Sequence, residues 1–210
     1  MSLATYFSGR NRDKKWGEFT SEFQYTSETK ILDIGYSDKE YSKVDNYLEK
    51  HYPYQNMITA LGVEEPIEFP RRYPEVKVVK YSGGVFPFSD KSFDIVWSNA
   101  VIEHVGDSDA QVLFIKEIKR VGQSAFFKTP NLYFPVETHT RTPLLHWLPK
   151  PIFDRYLSAV GKKRFTGSYM YLLGEKDLKI LLSKAGVDSY KILKNRLFGF
   201  VLDFVVLIKN

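Results

Sequence analysis

FPFSDKSFDIVWSNAVIEHV, residues 86–105, divides into a turn, a strand and a helix start. Pro87 fixes its own φ, and Ser89-Asp90 favour a turn. Phe93-Asp94-Ile95-Val96-Trp97-Ser98 is a short apolar run and reads as a buried strand. Asn99-Ala100 ends it, and Val101-Ile102-Glu103-His104-Val105 opens a helical segment. Downstream, residues 107–121 place Val112, Leu113, Ile115, Ile118 and Val121 on one helical stripe, with Gly122 where a C-terminal cap belongs. Residues 125–129 form another apolar run, ended by Pro130.

The same alternation extends upstream. Residues 30–35 are a strand ending at Gly35. Residues 40–52 carry Tyr41, Val44, Leu48 and Tyr52 at helical spacing, stopped by Pro53. Residues 57–63 and 76–81 are two more strands, and the prolines between them exclude a continuous helix. Strands alternating with helices imply βαβ units and a parallel sheet. Beyond residue 130 the pattern breaks. Residues 131–171 hold only a short helix at 151–160, followed by Gly161. A helix at 175–185, closed by Gly186, precedes strands at 189–194 and 200–209. Their short link, residues 195–199, predicts an antiparallel hairpin. The expectation is one domain over residues 1–210, with an N-terminal flap (1–29) and an insertion (131–171) over the ligand edge.

Composition narrows the function. With 43% hydrophobic and 26% charged residues the chain reads as an ordinary soluble domain. The absence of cysteine excludes disulfides, zinc-thiolate sites and cysteine nucleophiles. No apolar run reaches the roughly 18 residues that span a bilayer, and no signal peptide is evident at the start, so the cytoplasm is the expected location. The net charge of +5 is scattered over small clusters, including residues 10–15 and 162–164. A solvated surface explains them better than nucleic-acid binding.

In open α/β sheets, ligands bind beyond the carboxyl ends of the strands, where the strand order reverses. Asp33-Ile34-Gly35-Tyr36-Ser37 lies at such an end. A glycine there lets the backbone turn tightly and approach a ligand.

The pieces in residues 86–105, in their order, closely resemble class I S-adenosylmethionine-dependent methyltransferases. The shared pattern is an apolar-Pro-Phe turn, an Asp90-x-x-Phe93-Asp94 lead into the fourth strand, and Asn99 followed by His104. The resemblance implies an α/β, doubly wound, Rossmann-like seven-stranded sheet, mostly parallel with a C-terminal antiparallel hairpin. It implies S-adenosyl-L-methionine as cofactor. Asp33, Gly35, Tyr36 and Ser37 would line its methionine part. Gly62 to Glu64 would face the ribose, Ser82 and Gly83 the adenine, and Asn99 with Ala100 would hold the methionine end. His104 would sit near the sulfur, as a general base or as a structural histidine. The chain departs from the family where Tyr36-Ser37-Asp38-Lys39 replace further glycines, and where Gly62 and Ser82 stand in place of acids.

Residues 129–149 resemble a subset of these enzymes associated with sugar or cell-surface polymer synthesis. That resemblance suggests a small-molecule acceptor, such as a sugar, a polysaccharide precursor or a lipid-linked sugar; His139 and His146 read as lining its pocket or pinning the insertion down, and Tyr133 as stacking on a sugar ring or covering apolar core. The loop spacing of Glu137, His139 and His146 matches no zinc template, so no metal is expected. Glu103 reads either as catalytic or as an exposed acid favouring the helix dipole. Two functions remain open: a methyltransferase, or a degenerate, non-catalytic domain of that fold.

Overall fold

The computed structural model describes residues 3–209, with side chains from residue 12 onward. The first two residues of the expected flap, the last residue of the expected domain and the Arg10 side chain lie outside that description. In chain order the elements are α1 (Leu3–Glu22), β1 (Ile31–Ile34), α2 (Tyr47–His51), β2 (Ile58–Gly62), α3 (Phe69–Arg72), β3 (Lys77–Lys80) and β4 (Phe93–Asn99). There follow α4 (Ser108–Val121), β5 (Gly122–Pro130), β6 (Val136–Glu137), β7 (Thr142–Pro143), α5 (Lys150–Ala159), α6 (Glu175–Lys184), β8 (Lys191–Leu197) and β9 (Phe200–Lys209).

Seven strands form one sheet in the order β3-β2-β1-β4-β5-β9-β8. β1 pairs in parallel with both β2 and β4, Ile31 facing Ile58 on one side and Ile95 on the other. β9 runs antiparallel to β5 and β8. This is the fold class expected from the sequence. The order reverses between β1 and β4, so the crossovers leave in opposite directions and open a crevice there.

Side-chain alternation along each strand serves two cores. Leu32, Val96 and Phe127 point to the layer of α4 and α6, where Phe114, Ile118, Leu178 and Leu182 meet them. Ile31, Trp97 and Phe126 point to the opposite layer, onto Phe19 and Phe23 of α1, Leu48 and Phe69. Trp97 and Phe126 stack with ring centres 4.6 Å apart. Each fully buried large apolar side chain contributes about 1.5–3 kcal/mol, so the second half of α1 is a structural layer packed on the sheet.

Several sequence expectations need correction. The helix expected over residues 40–52 is only Tyr47–His51, and Tyr41 is exposed. The Asp45 carboxylate accepts the Tyr41 and Ser42 amides, and Asn46 takes a left-handed φ of 47°. Such side-chain bonds compete with the helical ladder. Residues 101–105 do not open α4. They form a 3-10 turn at Ile102–His104, and α4 starts later, capped by the Asp107 carboxylate on the Asp109 and Ala110 amides. Gly122 is not a left-handed cap but extended backbone that begins β5; a Cβ there would lie 2.5 Å from Val96 Cγ2. The link expected at 195–199 shrinks to Phe198-Gly199, with φ of 51° and 84°, a two-residue turn matched to strand twist.

Candidate active site

Beyond the carboxyl ends of β1 and β4 lies a cavity of about 340 Å³, within the size range of small-ligand sites. Asp33, Gly35 and Ser37 form one wall, and Asn99, Ala100 and Val101 another. Arg12 enters from α1, and His104 and His139 close the remaining side. Gly35 has φ of 99°, and a Cβ there would meet Val101 Cγ2 at 2.4 Å, so the two walls touch at this glycine. Ala100 also takes a positive φ, 61°, a conformation rare outside glycine. Asn99 Oδ1 is buried without a hydrogen-bond partner among the described residues.

The loop after Gly35 is held without further glycines. Asn46 clamps Ser37, accepting its amide at 2.8 Å and donating to its carbonyl at 2.9 Å. The Asp38 carboxylate accepts the Ile67, Glu68 and Phe69 amides at 2.7, 2.7 and 2.9 Å, and these bonds hold its pKa below the usual carboxylate range. Tyr36 folds away from the cavity. Its ring packs on Phe69, and its hydroxyl donates to the Glu64 carbonyl at 2.7 Å. The same ring covers Gly62, where a Cβ would lie 2.6 Å from Tyr36 Cε1. The tyrosine in the loop and the missing acid at 62 are therefore one steric arrangement.

Two buried acids sit behind the cavity. Burial pushes Asp33 up to about 6, against the pull of Glu49 and Arg12. Burial and the neighbouring Asp33 raise Glu49 well above its ordinary value.

At the other end, His104 Nε2 and His139 Nε2 are 3.2 Å apart. His104 Nδ1 bonds the Tyr169 carbonyl at 2.9 Å, and His139 Nδ1 bonds Glu137 Oε1 at 2.7 Å. Burial lowers the His104 pKa. Against the cost of its own burial, Glu137 is held down to about 2 by the His139 ring and by Thr140. Glu103, read as a candidate exposed acid, is 0% exposed; Thr129 Oγ1 donates to its Oε2 at 3.2 Å.

Comparison with known proteins bears on the fold that carries this cavity. A family described as "Methyltransferase domain" matches residues 52–125, from the end of α2 into β5. No curated protein sequence matches the chain. Among solved structures, a SAM-dependent methyltransferase from Aquifex aeolicus is 16% identical, with 91% of this chain and 87% of that one covered and a TM-score of 0.55. The YcgJ protein from Bacillus subtilis is 14% identical, with 92% and 97% covered and a TM-score of 0.57. The N-terminal domain of EvdMO1, solved in the presence of SAH and D-fucose, is 18% identical, with 94% and 82% covered and a TM-score of 0.56. The chain has the class I methyltransferase fold.

Within that methyltransferase fold, the cavity gathers Asp33, Gly35, Ser37, Asn99, Ala100, His104 and His139 from the sequence-derived set. It does not gather the others. Tyr36 covers Gly62, and the Glu64 carboxylate accepts the Asp38 amide at 2.9 Å. Ser82 and Gly83 are exposed at the end of β3, Gly83 with φ of 86°. Tyr133 is 62% exposed and lies against Gly174. His146 is buried, donates Nε2–H to the Phe134 carbonyl at 2.9 Å, and packs near Phe153. Sequence reasoning missed Arg12, Asn46 and Glu49. Asn46 carried a readable signal, since asparagine tolerates left-handed backbone and bonds nearby amides. Arg12 and Glu49 carried none, because only the packing of α1 and α2 brings Arg12 to the cavity and Glu49 behind it.

Proposed function

We propose that this chain transfers a methyl group from S-adenosylmethionine to a small-molecule acceptor, with a sugar or lipid-linked sugar as the acceptor class. The observation that carries the reading is Asn99, which lines the cavity between Gly35 and His104 and whose Oδ1 is buried with no hydrogen-bond partner among the described residues. A buried polar atom without a partner costs about 1–3 kcal/mol, and a ligand ammonium group relieves that cost. Arg12 offers the complementary cation for a ligand carboxylate on the same cavity. When bound, the cofactor supplies an electrophilic methyl group. The protein aligns the acceptor with it and excludes water. In this reading α1 is the flap, residues 131–171 are the insertion that selects the acceptor, and the chain is one domain working in the cytoplasm. Among the described residues no helix is long and apolar enough to cross a membrane. His104 and His139 stand at the acceptor end. The sugar assignment draws on the sequence resemblance over residues 129–149 and on the EvdMO1 domain solved with D-fucose present.

One observation favours a second reading, a degenerate binding domain. Tyr36 occupies the room over Gly62, where a ribose-binding acid would stand. Titration with S-adenosylmethionine and S-adenosylhomocysteine separates the two. The enzyme reading expects one-to-one binding and, at about 100 times Kd, roughly 2.7 kcal/mol of stabilisation. No thermal shift at millimolar ligand would rule it out. An Asn99→Ala variant should lose most of the shift while keeping the melting temperature of the free protein.

A further inference from the structure

We propose that Glu103, His104 and His139 form a binding site for a divalent first-row transition-metal ion at the His104 end of the cavity. One ligand atom from each lies within 4.8 Å of the other two. His139 Nε2 is 3.2 Å from His104 Nε2 and 3.8 Å from Glu103 Oε1. The two shorter separations fit ligands that share an ion at about 2.0–2.2 Å, and the third edge, up to 4.8 Å, closes by about 1 Å when the side chains turn onto the ion.

The hydrogen bonds around the cluster point the same way. A carbonyl oxygen only accepts, so His104 must donate from Nδ1 to Tyr169. An ionised carboxylate only accepts, so His139 must donate from Nδ1 to Glu137. Whenever the two rings are neutral, each Nε2 carries a lone pair, and the two lone pairs face each other. Glu103 Oε1 is buried with no hydrogen-bond partner among the described residues. A proton between the imidazoles would join the two rings but would leave Glu103 Oε1 unmatched. A cation satisfies all three atoms at once.

The surroundings are those of a built metal site. Metal-bound histidines usually donate their other N–H to a carboxylate or carbonyl, which fixes the tautomer. Glu137 and the Tyr169 carbonyl do this here, and Thr129 orients Glu103 through Oε2. Two imidazoles and one carboxylate suit zinc, iron, cobalt or manganese better than calcium or magnesium. Three protein ligands leave positions open to the cavity, the pattern of catalytic sites. The ligands come from a 3-10 turn and from a segment 35 residues away, so linear spacing gave no hint of them. What the ion does rests on the proposed function: it would lower the pKa of an acceptor hydroxyl, whose proton passes to solvent.

The test uses untagged full-length protein, stripped with EDTA and free of cofactor, titrated with Zn²⁺ by calorimetry and with Co²⁺ by visible absorption. One-to-one binding is expected, with d–d bands from Co²⁺. His104→Gln, His139→Gln and Glu103→Gln should each abolish the bands, whereas His51→Gln on α2 should leave them unchanged. Glu137→Gln should weaken binding about 10- to 100-fold. If stripped wild-type protein gives neither heat nor bands at millimolar metal, the proposal fails. Binding that survives the double substitution of His104 and His139 also overturns it. Cofactor is absent throughout, so the result is independent of the methyltransferase reading. A chain that binds S-adenosylhomocysteine but not Co²⁺ would keep the function and lose this site.

Discussion

Asp33 and Glu49 are buried carboxyls whose chemistry departs from that of their free side chains. Both are almost fully buried, at 6% and 0% exposure, and both are raised in pKa, Asp33 to about 6. A carboxyl raised in the folded state binds protons that the unfolded chain has already released. Stability must therefore fall as pH rises from the ordinary carboxylate range, about 4, through the folded value. Glu49→Gln removes one of the two acids and keeps the shape. The expected result is a shallower decline in melting temperature between acid and neutral pH. At alkaline pH the variant should be more stable than wild type, because it no longer has to hold the Glu49 charge beside Asp33. Parallel pH–stability curves for the two proteins would disprove the coupling. Glycine positions show the same residue-scale logic. Gly62 and Gly122 are glycines because Tyr36 and Val96 occupy the space of a Cβ, not because the backbone turns there.

Among the elements, α1 is held by more than its apolar face. Phe19 lies edge-on to Trp97 and to Phe126 at 5.1 and 5.6 Å. Below them Lys15 Nζ meets Asp203 Oδ2 of β9 at 2.7 Å, both side chains nearly inaccessible. Burial, with help from the neighbouring cation Lys128, pulls Lys15 down to about 7. Lys128 of β5 stands 4.0 Å from the same carboxylate. Asp203 thus faces Lys15 and Lys128 and also feels Arg12, whereas Lys15 meets this one carboxylate, so the two halves of the clasp are unequal. Asp203→Asn strands both lysines and should cost about 3–5 kcal/mol in chemical denaturation. Lys15→Met should cost distinctly less, because Lys128 remains beside Asp203. The reverse order would show that α1 is not clasped by this carboxylate. These elements also mark how far the sequence could be read. The central strands β1, β2, β4 and β5 were legible because each contains a short apolar run, whereas the edge strand β8 mixes charged and apolar residues and lies at Lys191–Leu197, later than 189–194; α4 was legible because its stripe has a clear period. The helix over 40–52 failed because Asp45 and Asn46 divert backbone amides to their side chains. Glu103 was misread because charge type says nothing about whether a 3-10 turn faces inward.

For the whole molecule, the candidate site is a junction of four stretches remote in sequence: α1 through Arg12, the loop after β1, the end of β4, and the segment bearing His139. The Gly35 and Asn99 ends were visible in sequence because motif order survives where backbone geometry is demanding. The pairing of His104 with His139 was not, since only the return of residues 131–171 over the sheet creates it. A ligand held between these stretches must stabilise all of them together, and not only the loop that it touches. With S-adenosylhomocysteine at about 100 times Kd, amides that exchange only through global unfolding, such as those of β4 and β5, should slow about 100-fold. The distinctive expectation concerns the periphery. Amides in the second half of α1 and around His139 normally open locally. If α1 is a flap and residues 131–171 an insertion over the same ligand, their exchange should slow as well, by hydrogen-exchange mass spectrometry. Protection confined to residues 33–48 and 97–104, with α1 and the His139 region unchanged, would leave a bound cofactor but refute the closure of the site by those two segments.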